Sequence, residues 1–170
     1  HEIVIELMTS LNKIIRDKVH LVFPMTYGAN EEKVLNVKEK LINSGFTYSV
    51  FSNFLTVEEM TYLRIISDVL LNIPINDQLS ASMQETLFTQ NVVITGNWLP
   101  YKPFDDAGIY YIKINKFEDF VKVLPDVINN YSSFKEKTVN NMEIIWKLSS
   151  WQNRISDWSN MYMNILSEKI

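Results

Sequence analysis

This 170-residue chain lacks several residue types and segments, and each absence excludes a class of protein. It contains no cysteine, which excludes disulfides and thiolate chemistry. Its two histidines, His1 and His20, are not spaced with acids as metal ligands would be, so no bound metal is expected. Lysine and arginine form no run and the net charge is −4, so nucleic acid is not an expected partner.

Long apolar segments are also missing. No stretch approaches the ~20 apolar residues that a membrane span needs, and no signal peptide is visible. We therefore expect a cytoplasmic protein with at most peripheral contact at the inner face of the membrane. The chain begins at His1 directly in a helical pattern, which favours a fragment of a longer protein. Its 46% hydrophobic residues are enough for one globular domain with a core.

Strand patterns alternate with helix patterns along the chain. Apolar, β-rich runs predict strands at 19–23, 47–51, 69–73, 92–95 and 109–114. Helical periodicity predicts helices at 2–16, 31–43, 57–66 and 115–129, one after Asn76 and one from Ser133. The predicted start signals are Asn30 as an N-cap, a capping box of Thr56 with Glu59, and Asn115 with Glu118. Crossover helices of ~10–15 residues imply parallel strands and right-handed connections. The predicted fold is an α/β, doubly wound, Rossmann-like parallel sheet.

Ligands of such folds bind at the carboxyl ends of the strands. One loop at that edge carries Asp77, and Glu85 follows with seven residues between the two acids. Between them lies a predicted helix N-terminus made of Ser80, Ala81 and Ser82. The free backbone amides and the dipole of such a terminus attract anions. Two carboxylates around an anion site suit a sugar joined to a diphosphate.

This segment, NDQLSASMQETLFT at 76–89, resembles the donor-binding segment of nucleotide-sugar glycosyltransferases with the GT-B fold, especially family 4 (group 1). Those enzymes carry an acid-x7-acid motif after the fourth strand of their C-terminal domain. Asp77 stands where the family usually has Glu, and Leu79-Ser80 replaces its common Phe-Gly pair. The string DQLSASMQETLF followed by VVITGNWLPY is similar to a bacterial branch that builds surface polysaccharides. The resemblance covers residues 19–127.

The resemblance implies a role for each candidate residue. Asp77, the candidate catalytic residue, would contact the transferred sugar, and Glu85 would accept hydrogen bonds from the ribose hydroxyls. The remaining candidates are donor-binding: Ser80, Ala81 and Ser82 at the pyrophosphate, Tyr27 and Gly28 near the phosphates or sugar, and Phe54 near the nucleobase. The implied enzyme is a retaining hexosyltransferase that needs no metal and no cofactor besides its nucleoside-diphosphate sugar. Its acceptor would be a glycan or a lipid-linked sugar.

The resemblance also predicts how the chain is organised. Residues 1–130 would form the donor-binding domain without its first strand, and 131–170 would be C-terminal helices that pack toward an absent N-terminal domain. The isolated chain would then be inactive. Aromatic and apolar residues at helical spacing form a stripe near the C-terminus: Trp151, Ile155, Trp158, Tyr162 and Ile165. This stripe would face that N-terminal domain or pack on its own domain, and Trp146 is predicted to be core.

Each candidate also has a purely structural interpretation. Glu85 would close a capping box with Ser82, Asp77 would stabilise a turn, and Phe54 would pack in the core. The aromatic residues Trp98 and Tyr101 would either floor a sugar pocket or pin their loop. A non-catalytic doubly wound interaction domain is therefore the alternative function, and a nucleotide-sugar epimerase is a weaker one because no histidine lies at the predicted cleft.

Overall fold

The computed structural model describes residues 1–26 and 30–167, which form an α/β protein with parallel strands. Contacts between Cα atoms divide the chain into two compact units. The first is His1–Ile66 with Ile114–Ser132, and the second is Ser67–Lys113 with Ser133–Ile170. The functional division that we expect at residue 130 stays a prediction.

The first unit contains two parallel strands and the helices packed on them. Strand β1 pairs with β2 from His20 opposite Thr47 to Pro24 opposite Phe51. The elements are α1 (Glu2–Thr9), α2 (Lys13–Arg16), β1 (His20–Pro24), α3 (Glu31–Ile42), β2 (Thr47–Phe51), α4 (Val57–Ile66) and, after a 3-10 turn at Phe117–Asp119, α7 (Phe120–Asn129).

Local capping explains where the helices of this unit begin. The Asn30 side chain accepts a hydrogen bond from the Lys33 amide at 2.9 Å, as predicted for the start of α3. Thr56 and Glu59 form the predicted reciprocal capping box at the start of α4. The predicted single helix over 2–16 is wrong, because the Asn12 side chain caps the Ile15 amide at 3.0 Å and starts a separate helix.

The second unit contains the other sheet, in the order β3-β4-β5. Strands β3 and β4 are parallel, with Val69 opposite Val92 and Asn72 opposite Thr95. The elements are β3 (Val69–Asn72), α5 (Ala81–Phe88), β4 (Val92–Gly96), α6 (Lys102–Asp106), β5 (Ile112–Ile114), α8 (Tyr131–Lys137), α9 (Asn141–Ser149) and α10 (Trp151–Ser167).

The centre of this unit is strand β4, all of whose residues are buried. A continuous run of apolar residues is what a strand covered on both faces requires. The core around it joins α5, the loop after β4 and α9, and consists of Met83, Leu87, Val93, Leu99, Tyr101, Phe104, Ile109, Tyr111 and Ile145.

Two features of the strands differ from the prediction. The described strands form two sheets, β1-β2 and β3-β4-β5, where one sheet was expected. Strand β5 is also shorter than predicted, since its pairing is restricted to Ile112–Ile114.

Two local details were not foreseen. Helix α6 occupies part of a predicted loop, with Pro103 in its first turn, where a missing amide proton costs nothing. Asp119, not the predicted Glu118, accepts the Asn115 amide at 3.2 Å before α7. Across residues 1–26 and 30–167, no helix has the length and hydropathy that crossing a membrane requires.

Candidate functional site

Asp77 lies in the loop between β3 and α5, and both of its carboxylate oxygens accept hydrogen bonds. The backbone amide of Gln78 donates to Oδ1 at 2.7 Å. The Tyr101 hydroxyl donates to Oδ2 at 2.7 Å. Because an ionised carboxylate has about four lone-pair positions, Asp77 retains acceptor capacity for a ligand hydroxyl.

Tyr101 links this acid to the end of strand β3. Its side chain is 2% exposed, and its hydroxyl oxygen accepts a hydrogen bond from Asn72 Nδ2 at 2.7 Å. Burial, and next the hydrogen bond to Asp77, raises the pKa of Tyr101 to about 12. The phenol is therefore neutral at physiological pH and acts as a fixed donor toward Asp77. Tyr101 thus pins the acid-bearing loop, whereas the role predicted for it was to pin its own loop or to floor a sugar pocket.

Trp98 holds the other end of the same loop. Its indole Nε1 donates to the Pro74 carbonyl at 2.9 Å. The ring lies directly over Gly96, where an added Cβ would be only 2.4 Å from ring atoms. Glycine is thus required at this position for the ring to approach the backbone. Both aromatic residues that follow β4 therefore restrain the segment that carries Asp77.

The N-terminus of α5 is capped by Ser80, not by Ser82. The Ser80 side chain accepts a hydrogen bond from the Met83 amide at 3.3 Å, and the helix begins at Ala81. The capping box proposed between Ser82 and Glu85 is therefore wrong, because Ser82 is already inside the helix. Leu79 turns the chain into the cap with φ of +50°, a conformation that is strained for residues with a Cβ.

Glu85 is exposed and lines an open groove of about 390 Å³ between α5 and α9. Helix α5 reaches this groove with Ala81 and Gln84 as well, and α9 contributes Trp146. Asp77 does not line it. The structure therefore puts the two acids of the motif in different surroundings, Asp77 in a hydrogen-bonded loop and Glu85 on an accessible wall.

The candidates in the first unit receive less structural support. Tyr27 and Gly28 lie outside the described residues, so their predicted roles stay predictions. Phe54 is 78% exposed, which contradicts the alternative that it packs in the core. An exposed phenylalanine is available to a ligand, but Phe54 lines neither the groove beside Glu85 nor the cavity between α1 and α3.

Two predictions about the C-terminal helices are wrong. Trp146 was predicted to be core, yet it is 45% exposed and lines the groove beside Glu85. The second wrong prediction is that the apolar stripe on α10 packs on its own domain, which was one of the two alternatives for it. Within the described residues α10 has no buried side chain, and its stripe residues Trp151, Trp158 and Tyr162 are all exposed.

A second hydrogen-bonded cluster supports the loop after β4. The Tyr111 hydroxyl donates to Asp105 at 2.5 Å, and the Lys113 ammonium lies 2.6 Å from the same carboxylate. Partial burial acts to raise the pKa of Asp105, but the hydrogen bonds from Lys113 and Tyr111 outweigh it and lower that pKa. Burial, with the Asp105 hydrogen bond, raises the pKa of Tyr111. The cluster is structural, since its groups satisfy one another.

Sequence reasoning missed three residues that shape this region. Asn72 is the next-to-last residue of the strand predicted at 69–73 and the last residue of β3, and its polar side chain near the strand end was the only signal. The position of Trp146 on an apolar helix face predicted burial in the core. No sequence pattern indicated a role for Gln152, which also lines the groove.

Among residues 1–26 and 30–167, no group of three or more His, Asp or Glu side chains is arranged to hold a metal ion. The chain matches no protein-family model, and a search of curated proteins finds no match.

Proposed function

We propose that the chain is the donor-binding part of a glycosyltransferase that moves a sugar from a nucleoside diphosphate to a glycan or lipid-linked acceptor. The observation that carries this proposal is the position of Asp77. Tyr101 holds this carboxylate in the loop that enters α5, at the carboxyl end of β3, where α/β proteins bind ligands. Glu85 is exposed about two turns into the same helix.

The division of labour follows from the chemistry of the groups. Asp77, with acceptor capacity left, would receive hydroxyls of the transferred sugar. The first amides of α5, at Ala81 and Ser82, would face the diphosphate, whose negative charge the helix dipole stabilises. Glu85 would accept the ribose hydroxyls. These groups orient the donor and stabilise the leaving diphosphate, a case of electrostatic preorganisation.

The strand order gives further support. The pair β1-β2 and the triplet β3-β4-β5 are two small sheets with parallel strands, which is compatible with a Rossmann-like fold. The resemblance of residues 76–89 to family 4 enzymes implies a retaining hexosyltransferase of bacterial surface polysaccharide synthesis. The exposed stripe on α10 fits contact with an N-terminal acceptor-binding domain of the same protein.

Thermal unfolding in the presence of nucleotides tests the proposal. The chain is heated with millimolar UDP, GDP, TDP, ADP or CDP, and Asp77→Ala, Glu85→Ala and Glu136→Ala are measured alongside. A nucleotide at ~100 times its dissociation constant adds ~2.7 kcal/mol to the free energy of unfolding. We expect stabilisation by one nucleotide, its loss in Glu85→Ala, and no change in Glu136→Ala, whose exposed carboxylate lies on α8.

Asp77 is tested with the intact sugar nucleotide. Because Asp77 would contact the sugar, Asp77→Ala should lower the affinity for the nucleotide sugar more than the affinity for the free nucleotide. No stabilisation by any of the five nucleotides would contradict a donor site in this chain. That outcome would favour the non-catalytic interaction domain, for which the exposed α10 stripe is the supporting observation.

A further inference from the structure

The groove between α5 and α9 contains side chains, Trp146 and Gln152 among them, to which the proposed function gives no role. It is a shallow, open surface depression with a volume of about 390 Å³. It lies wholly within the second unit. Its lining combines the carboxylate of Glu85, the indole of Trp146 and the amides of Gln84 and Gln152.

Trp146 presents a fixed aromatic surface to this groove. Its ring centroid lies 6.3 Å from that of Phe88, at an interplanar angle of 37°, and the neighbouring Ile145 is buried. The backbone at Trp146 is also restrained, because Asn153 Nδ2 donates to its carbonyl at 3.0 Å and to Ser150 Oγ at 2.7 Å. The indole therefore packs beside Phe88, which also lines the groove, while Trp146 stays 45% exposed.

The polar groups around the indole suit one kind of ligand. Carboxylate oxygens only accept hydrogen bonds, so Glu85 matches the two donors of a vicinal diol. Side-chain amides both donate and accept, so Gln152 matches the mixed edge of a nucleobase. Gln84 Nε2 donates to the Leu79 carbonyl at 2.8 Å, so Gln84 offers chiefly its carbonyl oxygen as an acceptor. An exposed indole offers a π-face on which a base can stack. A nucleoside carries all three features in one molecule.

We propose that this groove takes the nucleoside end of the donor, with the ribose hydroxyls on Glu85 and the base stacked on Trp146. The inference rests on the proposed donor-binding function and changes one of its assignments. It moves the base from Phe54, which belongs to the first unit, to a wall of the second unit. Trp146 and Gln152 then become the residues that decide which base is accepted.

Affinity measurements on four variants of the full chain test this assignment. Isothermal titration gives the dissociation constant of each of the five nucleoside diphosphates for the wild type, Trp146→Ala, Trp146→Phe, Trp158→Ala and Phe54→Ala. Removal of a stacked base partner weakens binding by about tenfold. We expect that loss in Trp146→Ala and near-wild-type affinity in Trp146→Phe, which keeps an aromatic face. Trp158→Ala is the matched control, because Trp158 is 48% exposed on α10 and does not line the groove.

Ribose 5-phosphate separates the base from the ribose. It has the diol but no base, so its affinity should fall in Glu85→Ala and stay unchanged in Trp146→Ala. Gln152→Ala removes an exposed groove residue that the fold does not need, and it should change the order of preference among the five nucleotides. This variant keeps the test decisive should Trp146→Ala fail to fold, which far-UV circular dichroism will show.

The outcomes distinguish this inference from the function on which it rests. If a nucleotide binds with equal affinity to the wild type, Trp146→Ala and Gln152→Ala, the donor site stands and the nucleoside assignment is overturned. Loss of affinity in Phe54→Ala alone would return the base to the first unit. If none of the five nucleotides binds, both proposals are overturned.

Discussion

The Tyr101 hydroxyl should contribute measurably to stability, because it links Asp77 to the end of β3. It donates to Asp77 Oδ2 and accepts from Asn72 Nδ2, each at 2.7 Å. Tyr101→Phe removes the hydroxyl alone. The ring and its tilted packing on Phe104, at 5.8 Å between centroids, remain, so no cavity of consequence is created.

The magnitude follows from the two bonds. A neutral hydrogen bond contributes about 1 kcal/mol to stability, and one to a charged group about 2 kcal/mol. Asp77 and Asn72 are both partly exposed, so water recovers part of this loss. We therefore expect Tyr101→Phe to lower the free energy of unfolding by about 2 kcal/mol. For a chain of this size that is a fall of about 4–8 °C in Tm.

Urea unfolding followed by circular dichroism gives the free energy directly. The matched control is Tyr110→Phe. In the wild type the Tyr110 ring lies under the Lys137 ammonium at 5.6 Å, and among the described residues its hydroxyl makes no hydrogen bond. The control should stay within about 0.5 kcal/mol of the wild type. Tyr101→Phe should also lower the affinity for a sugar nucleotide more than the affinity for the free nucleotide, because it removes the hydrogen bond that holds Asp77.

The reasoning fails if Tyr101→Phe costs no more stability than Tyr110→Phe. That result would mean that water replaces the phenol at both partners without loss. The loop would then owe its conformation to Trp98 and the Ser80 cap, and Asp77 would not be held in place by Tyr101.

Three further outcomes are expected. Because the pKa of Tyr101 is raised to about 12 from about 10, its neutral form stabilises the fold fully below about pH 10, and this contribution is lost as the pH rises through about 12. Urea midpoints across that window should fall less steeply in Tyr101→Phe. Gly96→Ala should displace the Trp98 ring and cost about 1–3 kcal/mol, with a shift in tryptophan emission that an unchanged spectrum would contradict. Asp105→Asn weakens the hydrogen bond with Lys113 and should cost about 1 kcal/mol at neutral pH. Because the pKa of Asp105 is lowered, this cost should vanish as the pH falls below that pKa, and a constant difference down to about pH 2 would contradict the assignment.

The accessible α10 stripe separates two kinds of prediction that used the same pattern. The spacing of Trp151, Trp158 and their neighbours predicted one helix with one apolar face, and the helix is present. The pattern did not predict what covers that face, because a periodic stripe records only that a partner surface is favourable. Among the described residues, no part of the second unit covers the stripe, and its side chains are exposed.

Sequence by itself determined the elements that depend on nearest neighbours in the chain. The Asn30 cap and the Thr56–Glu59 box were predicted correctly, because each hydrogen bond joins residues three apart. The strand at 47–51 was predicted within its observed limits, because its β-rich alternation is also local. Prediction failed where a local alternative was close in energy, as at the split between α1 and α2.

Only the tertiary structure decided the surroundings of the two acids. Tyr101 reaches Asp77 from 24 residues away in the chain, and Trp146 lines the same groove as Glu85 from a different helix. Neither arrangement produces a periodic pattern in the sequence. Contacts of this kind depend on how strands and helices pack, since packing brings together side chains whose separation along the chain carries no information about their distance in space.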